Sequence, residues 1–265
     1  MALDARYLAT AVDAALEAGR IQRRYFRKNP LVEKKGRIDL VTVADREVEQ
    51  AFRDLIAQRF PEHLVLGEEA ATGSATHQSR YRWIIDPVDG TTNFAHGLAL
   101  FCVSIALEVD GELALGVVYD PIGDELFVAE RGEGARLNGQ TLRVSVTEEL
   151  VDGMLVTGFP YSVKAERTRQ IGAFVGFLGQ AQAVRRLGSA ALDMCYVAAG
   201  RFDGFWEEHL HPWDIAAGVV IVREAGGRVS GYDGGTLDIF DGQIVASNGR
   251  LHQPMLDVIE RASEH

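Results

Sequence analysis

The sequence predicts a chain of mixed α+β and α/β character, a helical opening and an antiparallel meander followed by alternating strands and helices. Three observations carry that expectation. Apolar residues recur at helical spacing before Phe60, turn dipeptides punctuate short β-rich runs from Phe101 to Val146, and strands alternate with helices after about residue 147.

Leu8, Val12, Ala15 and Leu16 mark the first helix, and Val48, Phe52, Leu55 and Ile56 mark a second that Phe60-Pro61 stops. Leu64 to Gly67 then reads as a short strand ending at Glu68 and Glu69, and Trp83 to Ile85 as a strand delivering Asp86. Asp110-Gly111, Pro121 to Asp124, Gly132 to Gly134 and Asn138-Gly139 supply the turns of the meander. The second part runs strand (Met154 to Gly158), helix (about Ala165 to Gly179), strand (Ala183 to Arg186), helix (Ala190 to Ala199). A strand at Gly204 to Trp206, a helix at Ile215 to Ala225, two closing strands and a terminal helix follow. No repeat or low-complexity linker separates residues 1–146 from 147–265, so the two parts are expected to pack as one catalytic unit.

At 265 residues with 47% apolar and 25% charged positions, the chain has the composition of a soluble globular protein. Acidic residues outnumber basic ones 38 to 27, so direct nucleic-acid or anionic-membrane binding is not expected, and an anionic substrate needs a local cation. Cys102 and Cys195 lack a CxxC partner and stand in apolar surroundings, which predicts buried free thiols and suits a reducing cytoplasm. The first 25 residues read as an amphipathic helix rather than a signal peptide, and no apolar run approaches a membrane span.

The chemistry concentrates in WIIDPVDGTTNFAH, residues 83 to 96, where an apolar strand runs into two aspartates. Buried carboxylates need a metal, an arginine or a proton beside them. With Glu68 in GEEA and Asp214 in HPWDIAAG, Asp86 and Asp89 make four acids that each end or follow an apolar run. Pro87 would fix a tight turn that aims both aspartates and the Val88 carbonyl at one point. Oxygen-only ligands suit Mg²⁺, and GTTN can open a helix whose N–H groups face an anion. Metal carboxylates beside an anion site point to phosphoryl transfer to water. The plainer alternative is that these residues are turn formers and caps, as for any single Asp-Gly step. Haloacid-dehalogenase phosphatases use DxDGT with one intervening residue; here Pro87 and Val88 intervene, which disfavours an aspartyl-phosphate mechanism.

These residues resemble the inositol monophosphatase family, in particular its bacterial members. The DP(I/L)DGT motif appears at Trp83 to Thr91 with Val88 in the aliphatic place, and the WD…EAGG motif at Trp213-Asp214 to Gly227. DLVT.AD (Asp39 to Asp45), GEE (Gly67 to Glu69) and GSAALDMCYVAAGRFDGFWE (Gly188 to Glu207) complete a match from about Lys34 to the C-terminus. The resemblance implies a layered αβαβα sandwich of the inositol monophosphatase/fructose-1,6-bisphosphatase type. It also implies a homodimer and lithium-sensitive, Mg²⁺-dependent hydrolysis of phosphate monoesters, with two to three Mg²⁺ per site.

By that resemblance Glu68, Asp86 and the Val88 carbonyl hold a first metal, and Asp86, Asp89 and Asp214 a second. A third ion would sit near Glu68 with Asp45 in its outer shell. Glu68 and Thr91 orient the attacking water, Gly90 and Thr91 N–H groups hold the phosphate, and no phosphoenzyme forms. On its own sequence context Asp45 reads as a helix cap, and Lys34 in EKKGR as a solvated charge. The family places both near the active site.

The resemblance assigns the substrate's ring hydroxyls to Asp89, Ala190 of the Gly188-Ser189-Ala190 segment and Glu207, with Asp214 alongside. A carboxylate suits vicinal hydroxyls, although Glu207 beside Glu208 also reads as a surface acid. Arg185 and Arg186 could serve a dimer contact or a second phosphate, and the His209-x-His211 pair invites a zinc reading that lacks nearby cysteines. The expected substrate is a small phosphorylated polyol, myo-inositol monophosphate, in the cytoplasm. Fructose 1,6-bisphosphate, histidinol phosphate and 3′-phosphoadenosine 5′-phosphate are alternatives with the same mechanism, and a non-catalytic regulatory binding protein is the alternative of another class.

Overall fold

The structure, a computed structural model, describes residues 3–28, 32–34, 40–69, 79–159 and 167–262. Helix α1 (Ala5–Tyr25) starts at an Asp4 cap that accepts the Arg6 N–H at 2.9 Å. Strands β1 (Val32–Lys34) and β2 (Leu40–Thr42) form an antiparallel pair leading into α2 (Val43–Arg59). Then come β3 (Leu64–Gly67), β4 (Tyr81–Asp89), α3 (Thr91–Ala95), β5 (Cys102–Val109), β6 (Glu112–Asp120), β7 (Glu125–Glu130), β8 (Gly134–Leu137) and β9 (Gln140–Thr141). The second part holds β10 (Met154–Thr157), α4 (Arg167–Leu178), β11 (Ala183–Arg185), α5 (Ala190–Ala198), β12 (Gly204–Glu208), α6 (Pro212–Glu224), β13 (Arg228–Ser230), β14 (Gln243–Ser247) and α7 (His252–Ala262).

Strands β3 to β9 lie in sequence order in a seven-stranded sheet, antiparallel from β4 onward as the meander pattern predicts. The second sheet has five strands in the order β11-β10-β12-β14-β13. Its β11-β10-β12 part is parallel, as alternating strands and helices require, whereas the closing strands β13 and β14 pair antiparallel.

Strand alternation sorts the side chains into layers. Trp83, Ile85, Val103, Ile105, Leu115 and Val117 pack beneath α1 and α2. Ile84, Ala106 and Val118 face the other way, onto α5 and α6, which also cover Phe205, Ile244 and Ala246 of the second sheet. The far face of that sheet packs Trp206 and Val245 against α4 and α7. The fold is thus a layered αβαβα sandwich, with α5 and α6 in the central layer. Helix α6 approaches the sheet closely at Gly116, where a Cβ would meet the Ala217 carbonyl oxygen at 2.4 Å.

Four local expectations need correction. Strand β4 does not end at Ile85; it continues through Asp89, and the expected Pro-Val turn is a register irregularity between Asp86 and Asp89. Pro87 has no N–H to give the ladder, which fits such an irregularity, and the strand is buried from Trp83 through Asp89. Asp45 does not cap α2: Thr42 does, and Asp45 at the third position returns a bond to the Thr42 N–H. Helix α6 begins at Pro212 rather than Ile215, so Asp214 lies in its first turn. Leu16, periodic with the core positions, is 44% exposed. The expected start of α4 at Ala165, and Asp39 of the DLVT motif, lie outside the described residues.

Candidate active site

The ends of β3 and β4 and the N-termini of α3, α5 and α6 bring the acids together. One carboxylate oxygen from each of Asp86, Asp89 and Asp214 lies within 4.8 Å of the other two. A second group of the same compactness joins Asp45, Glu68 and Glu69. Glu68 is therefore grouped with Asp45 and with Glu69, a residue not among the sequence-predicted ligands, although the GEE doublet signals it.

Asp86, Asp89 and Asp214 are each held by identifiable donors. Asp86 sits where the β4 pairing register breaks, and its Oδ1 accepts the Val88 N–H at 2.9 Å. Behind the break, the buried Gln22 amide of α1 donates to the Pro87 carbonyl at 2.8 Å, a support no local motif announces. Asp89 accepts from the Ser189 hydroxyl at 2.5 Å, the Ala191 N–H at 2.8 Å and the Ala190 N–H at 3.3 Å, so it lies on the N-terminus of α5. The Cys102 thiol adds a weak donor at 3.6 Å. Asp214 accepts the His211 N–H at 2.6 Å within the first turn of α6.

Thr91 connects Asp45 to the backbone between Asp86 and Asp89. Its Oγ1 lies 2.9 Å from the Val88 carbonyl oxygen and 3.3 Å from Asp45 Oδ1. The turn before it depends on Gly90, whose φ of 94° and whose absent Cβ, which would stand 2.9 Å from the Leu100 carbonyl, both favour glycine. Asn93 then ties α3 to the loop before α5 by donating to the Leu187 and Leu100 carbonyls at 2.8 Å each. Gly188, with φ of 85°, faces that amide, and Ser189 and Ala190 follow as the start of α5.

Burial drives the electrostatics. It pushes the Asp86, Asp89 and Asp214 carboxyls up, and mutual repulsion among these acids and Glu68 raises Asp86 and Asp214 further. At Asp89 the donors from α5 and Cys102 act against that rise. Asp45 is pushed up to about 6, chiefly by burial. Among the described residues no arginine or lysine pairs with Asp86, Asp89 or Asp214. The convergent oxygens fit a hard divalent cation.

Glu207 lies at the end of β12, buried, with its carboxyl pushed up by burial and then by Asp214 and Asp89, while Arg186 acts in the opposite sense. Gly158 faces it so closely that a Cβ would stand 2.2 Å from Glu207 Oε1. Asp193, unforeseen from sequence, is buried one turn into α5, and neither of its oxygens has a hydrogen-bond partner. Arg186 stacks over Phe159 at 5.5 Å, and His211 stacks on Trp213 at 4.7 Å. Neither His209 nor His211 belongs to a metal-ligand group among the described residues. Both cysteines are buried free thiols. Lys34 ends β1, but its side chain lies outside the described residues.

Comparison with known proteins places this geometry in context. A sequence model described as the inositol monophosphatase family matches residues 4–264, extending the resemblance through α1. An inositol-1-monophosphatase of Synechocystis is 44% identical over 94% of this chain and 87% of its own length. The Nus factor SuhB of Escherichia coli K12 is 45% identical over 94% of both chains. Among solved structures, the extragenic suppressor protein SuhB of Bartonella henselae superposes with a TM-score of 0.91 at 40% identity, covering 97% of this chain and 99% of that one.

Proposed function

The chain belongs to the inositol monophosphatase family, a metal-dependent phosphatase family, and from that premise we propose that it hydrolyses myo-inositol monophosphate with Mg²⁺. The observation that carries the reading is the convergence of Asp86, Asp89 and Asp214 beside the Asp45, Glu68 and Glu69 group, with the Thr91 hydroxyl facing Asp45 and the Val88 carbonyl. Glu68, Asp86, the Val88 carbonyl, Asp89 and Asp214 would hold two to three Mg²⁺. When bound there, Mg²⁺ supplies charge neutralisation for the phosphoryl oxygens and the leaving alkoxide and makes a nearby water more acidic.

The protein's own residues supply position and proton movement. The Thr91 hydroxyl has one proton and faces two acceptors, so its oxygen retains a lone pair for the attacking water's hydrogen. Glu68 takes the water's proton, and Asp45, pushed up to about 6, holds Thr91 in orientation. Gly90 and Thr91 N–H groups at the start of α3 receive the phosphate. Asp89, Ser189, Ala190 and Glu207 meet the polyol hydroxyls, with Gly188 shaping the approach. Attack is by water, so no protein-bound phosphate forms. The same reading includes a cytoplasmic homodimer and lithium sensitivity. It treats residues 1–146 and 147–265 as two closely packed parts, the second supplying Asp214 and the polyol contacts.

The test is phosphate release with Mg²⁺ from myo-inositol 1-phosphate, fructose 1,6-bisphosphate, histidinol phosphate and 3′-phosphoadenosine 5′-phosphate, with Asp89→Asn as the blank. Preference for the inositol ester, lost by orders of magnitude in the variant, is expected. Preference for another ester keeps the mechanism and overturns the substrate. The absence of turnover on all four would sink the enzymatic reading in favour of a regulatory binding role.

A further inference from the structure

Asp86 and Asp89 stand three positions apart on β4, and in a regular strand such residues point to opposite faces. Here they share one. The ladder with β5 pairs Asp86 with Ser104 and Asp89 with Cys102, so three steps along β4 match two along β5. The extra residue is a β-bulge, and it brings Asp89 into phase with Asp86. Ser104, which donates to the Trp213 carbonyl of α6 at 3.1 Å, and Cys102, which packs with α5 and α6, mark the shared face.

The bulge falls outside both neighbouring ladders. Pairing with β3 ends where Gly67 meets Ile85, and pairing with β5 passes over Pro87 and Val88. Two carbonyls there accept side chains instead. The Val88 carbonyl accepts the Thr91 hydroxyl at 2.9 Å, and the Pro87 carbonyl accepts the Gln22 amide of α1 at 2.8 Å. Helix α1 packs on the sheet face opposite α5 and α6, so the Gln22 bond reaches the bulge from behind the acids.

Packing alone does not account for a glutamine at this position. Gln22 is 0% exposed, follows the buried Ala18, Gly19 and Ile21 of α1, and leaves its Oε1 without a hydrogen-bond partner. Turning the amide over would set Oε1 against the Pro87 carbonyl oxygen, so the bond to Pro87 fixes the orientation that orphans Oε1. Methionine or leucine would fill similar space with no orphaned atom of its own. What the amide adds is a donor for the Pro87 carbonyl.

We infer that Gln22 is a positioning residue of the metal site: by holding the Pro87 carbonyl it fixes the bulge that sets Asp86 and Asp89 on one face, and so tunes that site's affinity for a divalent cation. The inference rests on the metal-dependent reading of the acids, and cation binding itself is the readout. The full-length protein is stripped with EDTA, desalted and titrated with Mn²⁺ alone, an ion suited to oxygen ligands whose free form is counted by electron paramagnetic resonance. Binding that Asp89→Asn abolishes defines the site. Gln22→Met, which keeps the length and removes the donor, is expected to weaken Mn²⁺ about tenfold or more, the loss typical when a group behind a metal ligand is removed. Its melting temperature in EDTA stays near the wild-type value, because one orphaned acceptor, Gln22 Oε1, is exchanged for another, the Pro87 carbonyl. Gln22→Leu repeats the test with a second apolar shape. Ile21→Val, at the adjoining buried position, is the control: it lowers the melting temperature and leaves Mn²⁺ affinity unchanged. The Mg²⁺ concentration for half-maximal phosphate release rises in Gln22→Met in the same proportion as the Mn²⁺ loss. Wild-type Mn²⁺ affinity in Gln22→Met, or an equal loss in Ile21→Val, would overturn the role of Gln22 and leave the metal site standing. No saturable Mn²⁺ binding by the wild type would sink the metal-dependent reading and this inference with it.

Discussion

Gly67→Ala tests whether the carboxylate loop is set by a residue outside it. Gly67 ends β3 immediately before Glu68, and a Cβ there would stand 2.6 Å from Glu49 Oε2 and 2.7 Å from Oε1. Ordinary contact begins near 3.4 Å, so the Glu49 carboxylate has to withdraw by most of an ångström. It is now 3% exposed, accepts the Glu69 N–H at 2.7 Å, and is forked by Arg53 Nε at 2.9 Å and Nη2 at 2.7 Å. Losing the charged bond to Glu69 costs about 1.5–3 kcal/mol, and the partly buried Arg53 pair adds about 1 kcal/mol. Removing a flexible glycine from a strand returns about 0.5–1 kcal/mol, which leaves a net loss of about 2–3 kcal/mol. Because Glu69 moves with its N–H, the rate of phosphate release falls about 10–100-fold, as for residues that orient metal ligands. Urea unfolding in EDTA reads the stability and phosphate release with Mg²⁺ reads the rate, each repeated in a Glu49→Ala background. There the clash is gone and Gly67→Ala should cost almost nothing further. Full additivity of the two substitutions would refute the proposed contact between Gly67 and Glu49.

Two further outcomes follow from single close contacts. Gly158→Ala would drive a methyl to 2.2 Å from Glu207 Oε1 and displace that carboxylate. The KM for myo-inositol 1-phosphate should rise about tenfold or more while p-nitrophenyl phosphate, which has no ring hydroxyls, is spared; equal losses on both would show that Glu207 does not read the polyol. His252 is fully buried between Ser230 Oγ at 2.8 Å and Ser247 Oγ at 2.9 Å, and burial pushes its pKa down to about 4 from 6.5. The neutral ring therefore stabilises the fold above pH 6.5, and that contribution drains away as pH falls toward 4. Between pH 7 and 5 the wild type should lose about 2 kcal/mol more than His252→Gln in urea unfolding with EDTA, and parallel losses would contradict the assignment.

The sequence could be read wherever function is written in short contiguous runs. DPVDGTT, GEE and WD each occupy an element end, so Asp86, Asp89, Asp214 and Glu68 could be named before any coordinates. Periodicity likewise announced α1 and α2, because a residue's face follows from spacing alone, and the turn dipeptides announced the meander. What spacing does not encode is partnership across the chain. The Gln22 amide beneath Pro87, the Glu49 carboxylate behind Glu69 and the Asn93 amide across to Leu187 look like any polar helix residue until the layers assemble. The continuation of β4 through Asp89 was hidden for a related reason: Asp-Pro and Asp-Gly are turn signals locally, and only two-sided burial keeps them in the strand.

Those distant supports explain how a fold tolerates a centre that works against it. Asp86, Asp89 and Asp214 are each pushed up by burial, so folding works against the ionised form of every one of them. The sign is unfavourable at neutral pH, because stability falls as pH rises from the unfolded carboxyl value toward the raised folded one. Only Asp89 has a dense set of donors, from Ser189, Ala190, Ala191 and Cys102, and those donors belong to α5 and β5, deep in the core. The convergent oxygens of Asp86, Asp89 and Asp214 are able to take the remaining compensation from a cation. A divalent cation that binds only when the ends of β3, β4 and α6 are assembled stabilises the folded state by its own binding energy, so the residues that gather the acids also couple cation binding to folding.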